Sequence, residues 1–165
     1  MSNKKKNILV TGGAGFIGSA IVKKLVAIKR YNIINIDKLS YASDLKNLKK
    51  IENSRNYKFI KIDISNFKKL KKIYDKYKPE YVVNCAAESH VDKSIKNSKD
   101  FIQSNIIGTY NILECIRSDI YSNNSRRKNK FKLLHQVSTD EVYGDSDKSK
   151  KIPDENTAYN PSSPY

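Results

Sequence analysis

The feature that most constrains this chain is an alternation. Short runs rich in β-branched and aromatic residues recur at Asn7 to Thr11, Tyr31 to Asp37, Tyr57 to Asp63, Tyr81 to Cys85 and Phe131 to Ser138, with helix-period segments between them. Strands that alternate with amphipathic helices form βαβ units, because a parallel neighbour is reached only by a crossover. Ile33-Ile34-Asn35-Ile36 shows no polar alternation, as suits a strand covered on both faces. The first helical face reads Phe16, Ala20, Ile21, Leu25 and Ile28. The second reads Phe67, Leu70, Ile73, Tyr74 and Tyr77 and is stopped by Pro79; a longer third reads Ile102, Ile106, Tyr110, Leu113 and Ile116. The expected fold class is α/β, a Rossmann-type doubly wound parallel sheet. Ser122 to Lys130, polar and basic, predicts a solvated loop before the fifth strand.

Composition bounds the function. A length of 165 residues suits one domain, and a hydrophobic fraction of 38% supplies a core. The net charge of +15 first suggests nucleic acid. The basic residues, however, are 27 Lys and only 5 Arg. Surfaces built for nucleic acid usually use the planar guanidinium as well. Lysine bias from AT-rich codons accounts for the charge, so no nucleic-acid partner is expected. No apolar run reaches membrane-spanning length, which predicts no membrane partner. Met1 to Lys6 leads directly into a strand without a secretory leader, and Cys85 and Cys115 form no disulfide or metal framework. A reduced, cytoplasmic protein without a metal is the expectation.

Strand one ends in Thr11-Gly12-Gly13-Ala14-Gly15-Phe16-Ile17-Gly18. In this arrangement Gly12 permits a tight turn, Gly15 lets backbone N–H groups approach a pyrophosphate, and Gly18 lets the helix pack close to the strand. The helix N-terminus adds unpaired donors and a positive dipole end. Strand, turn and amphipathic helix come in the order that a dinucleotide requires. Asp37 ends strand two, nineteen residues after Gly18, where a carboxylate accepts hydrogen bonds from an adenosine ribose and repels a 2′-phosphate. NAD is therefore expected over NADP, although the neighbouring Lys38 weakens that preference.

Strand five ends in Val137-Ser138-Thr139-Asp140-Glu141-Val142-Tyr143-Gly144. Ligands in parallel α/β sheets sit outside the carboxyl ends of the strands, so Thr139, Asp140 and Glu141 are expected in the cofactor cleft. Adjacent carboxylates there can divide acid and base roles. On pattern alone, a solvated acidic turn is the more frequent reading.

Four segments carry a resemblance: Thr11 to Gly18, Asn84-Cys85-Ala86-Ala87-Glu88-Ser89-His90-Val91-Asp92, Ser138 to Gly144, and Pro161-Ser162-Ser163-Pro164-Tyr165. Together they resemble the extended short-chain dehydrogenase/reductase family, and within it the branch that dehydrates dTDP-glucose. Epimerases of the family usually lack the carboxylate pair. The resemblance implies a hydro-lyase that uses NAD catalytically and yields a 4-keto-6-deoxy sugar nucleotide. Tyr165 would take the proton of the sugar 4-hydroxyl as C4 passes hydride to NAD, with Thr139 bonded to the same hydroxyl. Glu141 would remove the C5 proton and Asp140 would protonate the departing 6-hydroxyl, after which hydride returns to C6.

The resemblance also implies cofactor contacts from Phe16 and Ile17 at the pyrophosphate, from Asp37, Lys38, Leu39 and Ser40 at the ribose, and from Asp63 and Ile64 at the adenine. Cys85, Ala86, Ala87, Glu88 and Ser89 would line the cofactor beyond strand four, with Ser89 also near the sugar and Ser104 reaching in from the long helix. Strand-end polar residues also serve simply as helix caps.

Where the family commonly has Gly-Asn after Tyr41-Ala42, this chain has Ser43-Asp44. The family's Tyr-x-x-x-Lys motif places a lysine four residues after the tyrosine, and the given chain ends at Tyr165. The expectation is thus the N-terminal part of an NAD-binding domain, with further strands and a sugar-nucleotide domain outside residues 1–165 and slow turnover by this segment alone. Related enzymes pair through long helices such as the one around Ile102 to Ile116, so a homodimer is expected of an intact enzyme. Another nucleotide-sugar dehydratase or epimerase, or a non-catalytic NAD-binding fragment, is the alternative.

Overall fold

A computed structural model describes residues 5–122, 131–145 and 152–165. Five parallel strands form one sheet in the order β3-β2-β1-β4-β5. They are β1 (Lys6–Thr11), β2 (Tyr31–Asp37), β3 (Tyr57–Lys61), β4 (Tyr81–Asn84) and β5 (Leu133–Gln136). The order places β1 at the centre, with β2 on one side and β4 on the other. The chain's winding reverses there, and a crevice opens at the carboxyl ends of β1 and β4. This is the expected Rossmann-type arrangement.

Three strands are shorter than the sequence suggests. β3 stops before Asp63 because that carboxylate accepts the Ser65 N–H at 2.8 Å and turns the chain. β4 ends at Asn84 rather than Cys85, and β5, paired only with β4, keeps the same four-residue length. Most of the basic segment Ser122 to Lys130 lies outside the described residues.

The sheet is covered on both faces. On one, Leu9, Ile34, Ile36 and Val82 pack against Leu70 and Tyr74 of α2 (Phe67–Tyr77) and Ile112, Cys115 and Ile116 of α5 (Thr109–Ile120). On the other, Ile8, Val10 and Ile33 meet Val22 and Val26 of α1 (Phe16–Ala27), with Leu48 from a 3-10 helix, Leu45–Ile51. Consecutive β2 residues thus feed opposite cores, which is why that strand reads as an unbroken apolar run.

Two helical faces differ from their expected phase. In α1 the inward residues are Gly18, Ser19, Val22 and Val26, whereas Phe16, Ala20 and Ile28 are exposed. The cause is Gly18: a Cβ there would lie 2.2 Å from the Gly12 carbonyl oxygen, so this glycine must be the point of contact and fixes the rotation of the helix.

The long helical region comprises α4 (Lys99–Phe101), a π-helical stretch (Ile102–Gly108) and α5, following the short α3 (Val91–Lys96). It buries Phe101, Ser104, Gly108, Asn111, Ile112, Cys115 and Ile116. Ile102, Ile106, Tyr110 and Leu113 of the expected face are instead exposed, by 46%, 60%, 57% and 47%. Small and polar residues face inward because they bind neighbouring loops. Asn111 donates to the carbonyls of Ile64 and Ser65 at 2.9 Å each, and Gly108 lies directly against Ile64.

Among the described residues no helix is long and apolar enough to cross a membrane. Leu70 is fully buried between the sheet and α5. Leu70→Ala should lower the unfolding free energy by about 2–5 kcal/mol, read from urea denaturation, because the cavity left there cannot fill with solvent.

Candidate functional site

The site is built around the turn after β1. Gly12 has φ +67°, and a Cβ on it would stand 2.6 Å from the Ala86 nitrogen, so the turn and the loop after β4 meet backbone to backbone. Gly15 then begins α1 in extended conformation, and no side chain caps the helix. Its first-turn N–H groups are left for an anion. α2, by contrast, is capped by Asn66, whose side chain accepts the Lys69 N–H.

Asp37, 5% exposed at the end of β2, ties this turn to the neighbouring loop. Its Oδ2 accepts the Ala14 N–H at 2.9 Å, and its Oδ1 accepts the Leu39 N–H at 2.8 Å and the Ser43 hydroxyl at 2.9 Å. The carboxylate expected at a ribose is therefore also the brace of the loop, with one lone pair of Oδ2 left over. The Ser43-Asp44 departure is used here. Ser43 donates to Asp37, and Asp44 caps the 3-10 helix while its N–H bonds the Ala14 carbonyl at 3.0 Å.

Across the strand ends runs a chain of polar side chains. Thr11 donates its hydroxyl proton to the Asn84 side-chain amide oxygen, and the Asn84 side-chain NH2 donates to the Gln136 side-chain oxygen at 2.8 Å. The Ala86 N–H in turn donates to the Thr11 hydroxyl at 3.2 Å. These bonds fix the loop after β4 relative to β1. Its further course is held by Asn105, which accepts the Glu88 N–H and donates to the Glu88 carbonyl, both at 2.9 Å.

The result is a cleft open to solvent on one side. Gly12, Gly15, Asp37, Lys38, Ser40, Asp63, Ile64, Cys85, Ala86 and Ala87 line it, together with Ala42 and Ser43. Other residues singled out in the sequence stand around it. Phe16 and Ile17 project into solvent from the first turn of α1, and Gly18 is buried under Gly12. Leu39 packs into the core beneath the loop, and Ser89 borders a neighbouring shallow cavity with Tyr41 and His90. Ser104 and Glu88 are buried and both reach Lys38, at 2.9 and 2.7 Å. Among the described residues no group of three His, Cys, Asp or Glu side chains is arranged to hold a metal.

The turn after β5 is a 3-10 helix, Asp140–Tyr143. Thr139 caps it by accepting the Glu141 N–H at 3.2 Å, and its hydroxyl points to Asp140 at 3.4 Å. Asp140 is exposed and Glu141 half-buried. The tail returns to this turn: the Asn160 N–H bonds the Val142 carbonyl at 2.9 Å, and the Tyr143 and Tyr159 rings lie 5.9 Å apart. Tyr165 packs edge-on against Phe101 at 6.1 Å, and among the described residues no hydrogen bond joins it to Thr139, Asp140 or Glu141.

The profile of the GDP-mannose 4,6 dehydratase family matches residues 9–165. The chain belongs to this family. It is 45% identical over 159 residues to the dTDP-glucose 4,6-dehydratase of Haemophilus influenzae, covering 96% of this chain and 47% of that protein. Its structure resembles that of the Bacillus anthracis dTDP-glucose 4,6-dehydratase in complex with NAD, with a TM-score of 0.77, 39% identity, and coverage of 97% of this chain and 46% of that one. It also resembles the UDP-glucose 4-epimerase of Thermotoga maritima with UDP-glucose, with a TM-score of 0.78, 35% identity, and coverage of 96% and 46%. The chain spans less than half the length of these relatives. A dehydratase and an epimerase match this fold equally well, so the fold alone does not separate the two chemistries.

Pattern reasoning missed Ser43, Asn105, Asn111 and the Thr11–Asn84–Gln136 chain. Ser43 bonds Asp37 six residues back, the others act on segments distant in sequence, and none leaves a local periodicity. Burial disfavours the thiolate on the cleft wall, pushing Cys85 up from 9.0 to about 11 and Cys115 to about 12. Folded thiols therefore keep protons that unfolded ones lose above pH 9.0. Their contribution to stability is complete below that pH and lost as the pH rises through about 11, the folded value for Cys85. At pH 8 the folded chain should react with iodoacetamide about 100-fold more slowly than the unfolded chain, measured by mass spectrometry.

Proposed function

We propose that residues 1–165 are the N-terminal, NAD-binding part of a dTDP-glucose 4,6-dehydratase, with the substrate's nucleotide read by residues beyond them. The observation that carries this reading is the turn after β5, where two adjacent carboxylates, Asp140 and Glu141, follow the strand end in a 3-10 turn capped by Thr139, whose hydroxyl accepts the Glu141 N–H and points to the Asp140 carboxylate. An epimerase reaction needs no such acid–base pair. The likeness to dTDP-glucose 4,6-dehydratases supports the choice of substrate.

The cleft fits NAD on its own terms. Side chains at Gly12 and Gly18 would fill the turn, the start of α1 is uncapped, and Asp37 retains an acceptor for a ribose hydroxyl. Held by the glycine turn and Asp37, NAD would supply the hydride-accepting and hydride-donating chemistry needed at C4 and C6. Tyr165 removes the 4-hydroxyl proton, and Thr139 orients that hydroxyl. The resulting carbonyl acidifies C5–H, whose proton Glu141 takes as general base and gives back to C5 when C6 is reduced. Asp140, the more exposed of the pair, gives a proton to the leaving 6-hydroxyl so that water departs.

The exposed residues Ile102, Ile106, Tyr110 and Leu113 form an apolar face suited to a second copy of the chain in a homodimer. The excess of Lys over Arg supports an enzyme without a nucleic-acid partner.

The chemistry is checked by incubating the protein with dTDP-glucose and NAD and analysing the sugar by mass spectrometry. Residues 1–165 alone are expected to give the dehydrated 4-keto sugar only slowly, and in the longer enzyme Glu141→Gln should reduce that product about 10²–10⁴-fold while NAD still binds. A C4 epimer in place of a dehydrated sugar would favour the epimerase reading. Pairing is checked by sedimentation: Ile106→Asp should shift a dimer to monomer, and an unchanged sedimentation coefficient would rule out this face.

A further inference from the structure

Lys38 is the one cation among the described residues that line the cleft. It follows Asp37 directly, at the place where an acidic residue tells a ribose hydroxyl from a 2′-phosphate. A free ammonium there would work against that discrimination, because a lysine beside the ribose offers a phosphate its counter-charge.

The ammonium is not free. It lies 2.7 Å from the Glu88 carboxylate and 2.9 Å from the Ser104 hydroxyl. Both partners are buried: Glu88 is 7% exposed and Ser104 is 4% exposed. Glu88 belongs to the loop after β4, and Ser104 to the π-helical stretch. Lys38 therefore bridges from the end of β2 to the far side of β1. The anchor is rigid, since Asn105 holds the Glu88 backbone through two hydrogen bonds. Other charges lie beyond the bridge. Lys93, Lys96 and Asp100 border the adjoining cavity, where Lys93 stacks over the Tyr41 ring at 3.4 Å.

We infer that Glu88 is a specificity-determining residue for the cofactor: with Ser104 it draws the Lys38 ammonium away from the ribose position and neutralises it, so that Asp37 alone sets the preference for an unphosphorylated ribose. This rests on the NAD reading above. Sequence position obscures the arrangement, because Lys38 reads as a weak point in NAD selectivity. Glu88 cancels that weakness from fifty residues away in the chain.

The test is calorimetric titration of the chain with NAD and with NADP. In Glu88→Gln the ammonium loses its counter-charge but keeps a polar neighbour. The ratio of NADP to NAD affinity should rise about tenfold, the scale of one hydrogen bond to a charged group. The gain should shrink as ionic strength rises. Adding Lys38→Met to Glu88→Gln should return the ratio to its starting value, and circular dichroism confirms that each variant is folded. An unchanged ratio in folded Glu88→Gln that still binds NAD overturns the inference and leaves the NAD reading intact. A gain that survives Lys38→Met also overturns it, because the effect would not run through Lys38. Failure of the unaltered chain to bind NAD overturns both.

Discussion

The arrangement depends on one backbone contact. At Gly12 three chain segments meet with no side chain between them: the end of β1, the start of α1 at Gly18, and the loop after β4 at Ala86. A Cβ at Gly12 or Gly18 would overlap backbone atoms, which cannot move aside as a flexible side chain can. That contact sets the rotation of α1, and with it which residues enter the core. It also brings the uncapped end of α1 beside the strand ends and the loop after β4. The cleft exists because main chain approaches main chain at this point.

Around that contact the polar groups have double duties. Asp37 presents a carboxylate to the cleft, yet it also receives two backbone N–H groups and a hydroxyl from the turn and the loop beside it. Thr139 stands before the carboxylate pair and caps their 3-10 helix. The reading of such residues as structural caps and the reading of them as site residues are therefore compatible. A buried acceptor that positions a loop costs less to keep than one that waits unpaired for a ligand. The same economy explains the polar interior of the long helix, where Ser104, Asn105 and Asn111 fasten three separate loops.

The charge of the chain acts locally as well as globally. A surplus of lysine gives +15, but the lysine nearest the cleft is paired and drawn across it by Glu88. Net charge thus says little about the field a ligand meets, because one ion pair of buried geometry outweighs distant, screened lysines.

The sequence by itself determined the alternation of strands and helices, the parallel sheet, the glycine turn and the acidic turn after the fifth strand. Each is written in residues close together in the chain, through period, glycine spacing or strand-end position. Only the tertiary structure decided which faces turn inward. Ile102, Ile106, Tyr110 and Leu113 make a regular apolar stripe that the fold leaves outside, while Ser104, Gly108 and Asn111 go in. It also decided that Lys38 faces Glu88, and that Asn84 links β1 to β5. Periodicity reports what a segment can bury. The partner that buries it, and the hydrogen bonds that make a polar face the better choice, come from segments far away in sequence and appear only when the sheet brings them together.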